Sequence, residues 1–356
     1  MQNEDVSFTE NEILDPSEDE VLDYTYSITS YGADYPIDAL IKRMHSKTIK
    51  VPLFQRGFVW DEKKASRFIE SLLLGLPVPG IFLAKDIDSP DLLVIDGQQR
   101  LKSLQFFYNG LINEKKFRLI EVQERFNNKT YEELDIDDRL RLDDSIIHAT
   151  IIKQDEPSDD NSSIYLIFER LNTGGLVLQP QEIRTAIYSG EFVSLLNKLN
   201  EEKNWKEIYG ASNKRMKSQE FILRFFALFL YREKYSKPLK GFLNTYMSKN
   251  RHLKLHDEAM LKKLFKRNID YLVDTLGKSA FRPKRAINAS IYDSVMVGLA
   301  NRFEYNNEPP AKDKFLSAYY DLLRDSNYIE ATTDATSDEA VVERRMNTVI
   351  EKFKQI

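Results

Sequence analysis

The chain contains no cysteine. That excludes a disulfide scaffold, a thiol nucleophile and any Cys-based zinc site. Histidine is scarce, with four in 356 residues, and they form neither an HExxH nor an HNH-type cluster. His252 and His256 stand four apart, but in the sequence of a basic, exposed helix rather than a metal site. No apolar run approaches the ~18 residues of a membrane span. The first residues lack a basic stretch followed by an apolar one, so the expectation is a soluble, cytoplasmic protein with no membrane partner. GxxxxGK[ST], GxGxxG and a nucleophile elbow are all missing.

Base is absent from the first 26 residues, which hold nine acids. The formal net charge of −5 hides this asymmetry, because the remainder carries 51 bases against the other 47 acids. Lys203 to Arg285 alone hold 21 bases and 7 acids. With 42% hydrophobic and 12% aromatic residues, the chain can bury a sizeable core. Three regions follow: an acidic flexible tail (1–26), an α+β domain (27–175) and a basic, all-helical domain (176–356).

In the α+β region, Ala39, Leu40 and Met44 make a short helical stripe after Pro36, and residues 49–54 read as extended. Asp61 caps a helix that buries Phe68, Ile69, Leu72 and Leu73, stopped by Gly75 and the Pro77–Pro79 stretch. Residues 81–84, 92–95 and 145–152 read as strands, and a helix opens at Gln98 and ends at Asn109-Gly110. Beyond Ile164, period-3.6 segments follow one another at 164–171, 181–188, 192–199, 219–231, 255–276, 288–303, 312–323 and 339–353.

Three stretches could carry chemistry. In Asp96-Gly97-Gln98-Gln99-Arg100, an apolar strand turns through glycine into a helix start. Free N–H groups and the helix dipole make such a start an anion site. A guanidinium in the first turn opposes the dipole unless an anion compensates, and its fork suits phosphate. Gln98 and Gln99 add amide donors, and Asp96 could hold Mg²⁺ or orient a water. Equally open from residue types is a plain cap by Asp96 with Arg100 paired to a surface carboxylate. Gln55 and Arg56, among Phe54, Phe58 and Trp60, read as a ligand clamp or, by preference, a buried strut. Asn172 to Gly175 reads first as a helix C-cap. In the helical region, Lys214, Arg215, Lys217, Lys262, Lys266, Arg282, Lys284 and Arg285, with aromatics interleaved, nominate a DNA-backbone surface. No named DNA reader is legible, so recognition there would be led by shape or backbone.

Taken in order, Phe54-Gln55-Arg56 with Trp60, Ile69 to Pro77, Ile81-Phe82-Leu83, Ile95 to Leu101 and Phe168 to Gly174 resemble the GmrSD N-terminal-domain family. They cover roughly residues 30 to 190. The resemblance implies a ParB/sulfiredoxin-like N-terminal fold. It also implies a nucleotide-dependent protein of prokaryotic anti-phage or restriction-type defence. In that picture Gln55, Arg56, Gly97, Gln98, Gln99, Arg100 and Asn172 bind a nucleoside triphosphate, ATP or GTP. From the residue chemistry, Asp96 on Mg²⁺ or a water, Arg100 on the phosphates and Arg56 against transition-state charge are expected to serve its hydrolysis. Full restriction enzymes of this type also carry an HNH nuclease domain, and no such signature follows Gly190. The expected partners are therefore DNA and a defence subunit, with oligomers open. The alternatives are a metal-dependent nuclease of the same fold and a non-enzymatic DNA-binding or adaptor module.

Overall fold

The computed structural model describes residues 13–14, 27–51, 58–86, 88–112, 114–156, 162–171, 178–210 and 215–356. Of the acidic tail, only the strand β1 (Ile13–Leu14) falls among them. The chain forms two compact units, residues Thr25–Leu178 and residues Gln179–Ile356 with Met1–Tyr24.

The first unit is α+β. Its elements run β2 (Ser27–Pro36), α1 (Ile37–His45), β3 (Ile49–Lys50), α2 (Glu62–Leu73), β4 (Ile81–Lys85), β5 (Leu92–Asp96), α3 (Gln98–Asn109), a β6–β7 hairpin (Leu111–Ile112, Lys115–Lys116), α4 (Ile136–Asp144), β8 (Ile146–Glu156) and α5 (Ser162–Leu171). Five strands make one mixed sheet in the order β2-β8-β4-β5-β3. β8 joins β2 antiparallel and β4 parallel, and β5 joins β4 antiparallel and β3 parallel.

Alternation decides which way β8 faces. Ile147, Ala149 and Ile151 point into a core shared with Leu40, Ile69, Leu72, Leu101, Leu104 and Phe107 of the helices. The apolar spacing read from α2 is realised, and Asp61 caps it by accepting from the Lys64 N–H at 2.7 Å. α3 ends where Gly110 adopts φ +73°, the left-handed turn glycine permits. β2 has no counterpart in the pattern reading, because most of its residues are exposed and no period-2 signal marks it.

After the hairpin, one surface contact makes a checkable prediction. Arg118 grips Glu133 with both guanidinium nitrogens, at 2.6 and 2.9 Å, and the Thr130 N–H adds a bond at 3.1 Å. The Arg118 fork first, and the Thr130 amide second, hold the Glu133 carboxyl down at about 2. Its folded value lies below the unfolded one, so this contribution is present above the ordinary carboxylate range and fades as pH falls towards 2. Carboxyl NMR titration should find Glu133 far below its ordinary value, and Arg118→Gln should return it upward.

The second unit is helical. It contains α6 (Pro180–Ile187), α7 (Glu191–Asn200), α8 (Lys203–Tyr209), α9 (Lys217–Leu230), α10 (Leu239–Lys249), α11 (Glu258–Thr275), β9 (Ile287–Asn288), α12 (Ala289–Asn306), α13 (Lys312–Leu322), α14 (Ser326–Thr333) and α15 (Glu339–Lys354). β9 pairs in parallel with β1. α12 runs through the middle, packed on α9 and α15. Gly298 is needed there, since a Cβ would stand 2.5 Å from Val349 Cγ1 of α15. An α+β unit followed by an all-helical one is the architecture read from the sequence.

Candidate functional site

The Asp96–Arg100 stretch folds as strand, turn and helix. β5 ends at Asp96, Gly97 turns the chain with φ +99°, and α3 starts at Gln98. Glycine is required twice over at position 97. The conformation is left-handed, and a Cβ would lie 2.4 Å from Ile81 Cγ2.

The reading in which Asp96 caps the helix is not realised. No side chain caps α3, and its first turn holds no acid. Asp96 precedes the N-cap, and its Oδ2 instead accepts from Arg100 Nη2 at 2.7 Å. The same Nη2 donates to the Gly80 carbonyl at 2.9 Å. Arg100 therefore bridges β5 to the residue before β4. Its side chain is 16% exposed against 50% for Asp96. Arg100 Nε is buried and finds no acceptor among the described residues. A buried, unmet guanidinium donor is costly unless something supplies an acceptor.

Gln99 does something residue types did not announce. Its Oε1 accepts from the backbone N–H groups of Val59 and Trp60, at 3.0 and 3.3 Å. Phe58 meets Phe106 of α3 edge-on at 5.0 Å, and Trp60 meets Phe68 of α2 at 5.8 Å. The segment that follows Gln55 and Arg56 is thus fastened to the start of α3. Gln55, Arg56 and Asn172 themselves lie outside the described residues. Gln98 is buried.

Three further polar residues lie on α3, β2 and β8. Lys102, one turn after Gln98, is half-buried with no partner among the described residues, and burial pushes its ammonium pKa down. Asp34 of β2 and His148 of β8 are directly paired, Oδ1 to Nδ1 at 2.5 Å. Phe82 of β4 pairs with Thr150, two residues after His148, so Asp34, His148 and Thr150 share one face, while Asp96 meets Phe82 where the β4–β5 register shifts. Gly80 lies between, where a Cβ would come within 2.6 Å of the His148 carbonyl oxygen. The register of β8 on β4, which no local pattern encodes, is what brings His148 there.

A second metal-ligating acid does not emerge. Among the described residues there is no group of three His, Cys, Asp or Glu able to hold a metal. Glu70 accepts from the Gln123 N–H, and Asp86 closes its own turn by accepting from the Asp88 N–H.

The DNA nominees scatter. Lys214 lies outside the described residues. Lys217 is a correction: it is buried, with Nζ donating to Glu220 at 2.9 Å, and cannot face a DNA backbone. Arg215 leans on Glu182 at 3.7 Å. The cluster serves a buried network in which Arg184 donates to Glu220 and Asn244 at 2.8 and 2.7 Å. Lys262 pairs with Glu258, and Lys266 with Glu202. Arg282 is spent on backbone carbonyls. Lys284 and Arg285 are exposed. His252 pairs with Glu191 and His256 with Tyr246, so the two histidines take separate partners.

Residues 37–189 match the family model described as the GmrSD restriction endonuclease, N-terminal domain. This bears out the resemblance read from the sequence motifs. No curated protein matches the chain. Among the described residues, no helix is long and apolar enough to cross a membrane.

Proposed function

We propose that this chain, whose residues 37–189 match the family model of the GmrSD restriction endonuclease, N-terminal domain, is a restriction-type defence protein that binds and hydrolyses a nucleoside triphosphate at the β5–α3 turn. The observation that carries the reading is an uncapped helix start beside a guanidinium with an unmet donor. Such a start accepts oxyanions through its N–H groups and dipole. Arg100 adds a fixed cation. These residues fit a polyphosphate.

A divalent ion fits less fully. Asp96 is one half-exposed carboxylate already bonded to Arg100. Mg²⁺ is commonly held by one or two carboxylates plus substrate phosphates, so Asp96 would serve only together with the phosphates. When bound there, the ion supplies charge neutralisation. The chain's own part is positional. The α3 N–H groups and Arg100 hold the phosphates in place, and Asp96 aligns Arg100 or a water. Gln55, Arg56 and Asn172 complete the site in this proposal, with Arg56 neutralising charge as it develops. The reading is supported by Gln99, which ties the segment after Arg56 to α3. Association with DNA belongs to the same proposal.

The test is a thermal-shift panel with ATP and GTP, with and without Mg²⁺, run beside phosphate release. A ligand at 100 times its Kd should add about 2.7 kcal/mol of stability. Arg100→Ala should abolish the shift and reduce hydrolysis by about 10³-fold, the scale of a transition-state arginine. No shift with any nucleotide would favour an adaptor. Metal-dependent nicking lost in Asp96→Ala would favour the nuclease.

A further inference from the structure

A second cationic recess lies in the helical unit. It is a pocket of about 440 Å³, lined by Lys203, Lys206, Glu207, Ile208, Gly210, Lys278 and Arg282. That volume falls in the range of small-ligand sites, roughly 300–1,000 Å³. Four bases face one acid. One wall is α8, where Lys203, Lys206 and Glu207 recur at helical spacing, with Gly210 just past its end. The other is the short 3₁₀ turn Gly277–Ser279 with Lys278.

Arg282 holds the two walls together. Its Nη1 donates to the carbonyls of Ile208 and Lys278, both at 2.8 Å, and its Nη2 to that of Tyr209 at 3.2 Å. The last carbonyls of α8 would otherwise present the negative end of a helix dipole to the recess. With Arg282 covering them, the floor is compatible with an anion. Behind it Tyr209 lies against Trp205, ring centroids 5.3 Å apart, so the backing is stiff. Lys206 is engaged by Glu201. Lys203 and Lys278 are different. Both are exposed, and neither side chain has a partner among the described residues. Most lysines singled out in the basic region pair with acids; these two point their charge at a shared hollow.

We propose that this recess binds a phosphate carried by a nucleotide unit, with Lys203 and Lys278 as its direct contacts and Arg282 as the strut that shapes it. A free nucleotide and a nucleic-acid strand present the same phosphate chemistry, and the recess accepts either. The site belongs to the helical unit and does not depend on the β5–α3 turn.

The experiment uses the full chain and fluorescence anisotropy. The probes are labelled single-stranded and duplex DNA, and a labelled mononucleotide. The variants are Lys203→Glu/Lys278→Glu and, as a charge-matched control, Lys314→Glu/Lys354→Glu on α13 and α15. The first double variant should weaken binding at least tenfold and flatten the salt dependence by about 2, one per lost phosphate contact. The control should change affinity less than threefold. Glu207→Lys should tighten binding several-fold, and the Lys203→Glu/Lys278→Glu loss should persist for the DNA strands when made in an Arg100→Ala background, so failure of the triphosphate site is read separately. Loss confined to the mononucleotide, or to the strands, identifies the source of the phosphate and upholds the site. Equal weakening by both double variants, or no binding of any probe by the unaltered chain, overturns it.

Discussion

Asp293→Asn should destabilise the helical unit by about 3–5 kcal/mol, the cost of leaving buried charge without its counter-charge. Asp293 is fully buried on α12. Arg224 of α9 donates to both its oxygens, Nε at 3.0 Å and Nη2 at 2.6 Å. Arg345 of α15 stands 3.8 Å away and is also buried. Burial pushes the Arg345 pKa down, and Asp293 opposes that push. One carboxylate thus serves two guanidinium groups on the two helices that flank α12. Asparagine keeps the shape and removes the charge, so what is lost is electrostatic rather than volumetric. In circular-dichroism melts the midpoint should drop by roughly 10 °C for a unit of this size. Replacing all three with apolar residues, Asp293→Leu with Arg224→Met and Arg345→Met, should cost much less than the single change. A triple variant as damaged as Asp293→Asn would show that geometry, not charge, governs the site.

Gly97→Ala should cost about 2–5 kcal/mol, from a left-handed strain of ~1–2 kcal/mol and an overpacking term of ~1–3 kcal/mol. The overpacking arises at Ile81, which is fully buried and whose Cγ2 lies 2.4 Å from the new Cβ position. The two contributions can be separated. Gly97→Ala in an Ile81→Ala background removes the collision and leaves the strain, so the penalty for adding the methyl should fall by about half. Denaturant midpoints in the four-member cycle measure this. In the single variant the α3 start must shift, and with it the Arg100 bonds to Asp96 and Gly80. Any nucleotide-induced stabilisation should vanish with it.

Both sites show how unevenly sequence discloses structure. Gly97 was legible as the turn of a strand-to-helix junction, because glycine chemistry and apolar runs are local. The eight helical segments read between Ile164 and Phe353 were legible because apolar residues recur locally along each, as a stripe in α7 and α15 and nearly all round in α9 and α12. α4 was missed, since its sequence is acidic and its outer face leaves Ile136 and Leu140 exposed. α10 was missed around Gly241, which interrupts a helical pattern. β2 could not be read, because exposed residues carry no alternation. The role of Lys217 was misread. Its neighbour Glu220 is local, but the burial that turns a basic cluster inward comes from Arg184 and Asn244, far along the chain. The trio Arg224, Asp293 and Arg345 is invisible for the same reason: its members meet only through the packing of three helices. The pairing of Arg100 with Asp96 was the bland alternative in kind, yet its partner was the one acid expected to cap.

The two hydrogen bonds from Val59 and Trp60 to Gln99 have a thermodynamic consequence. They make the segment after Arg56 and the first turn of α3 a single coupled element. Coupling between two such parts is reciprocal: whatever steadies one lowers the free energy of ordering the other by the same amount. Ordering of Val59 and Trp60 and ordering of the first turn of α3 are linked in this way through the carboxamide of Gln99.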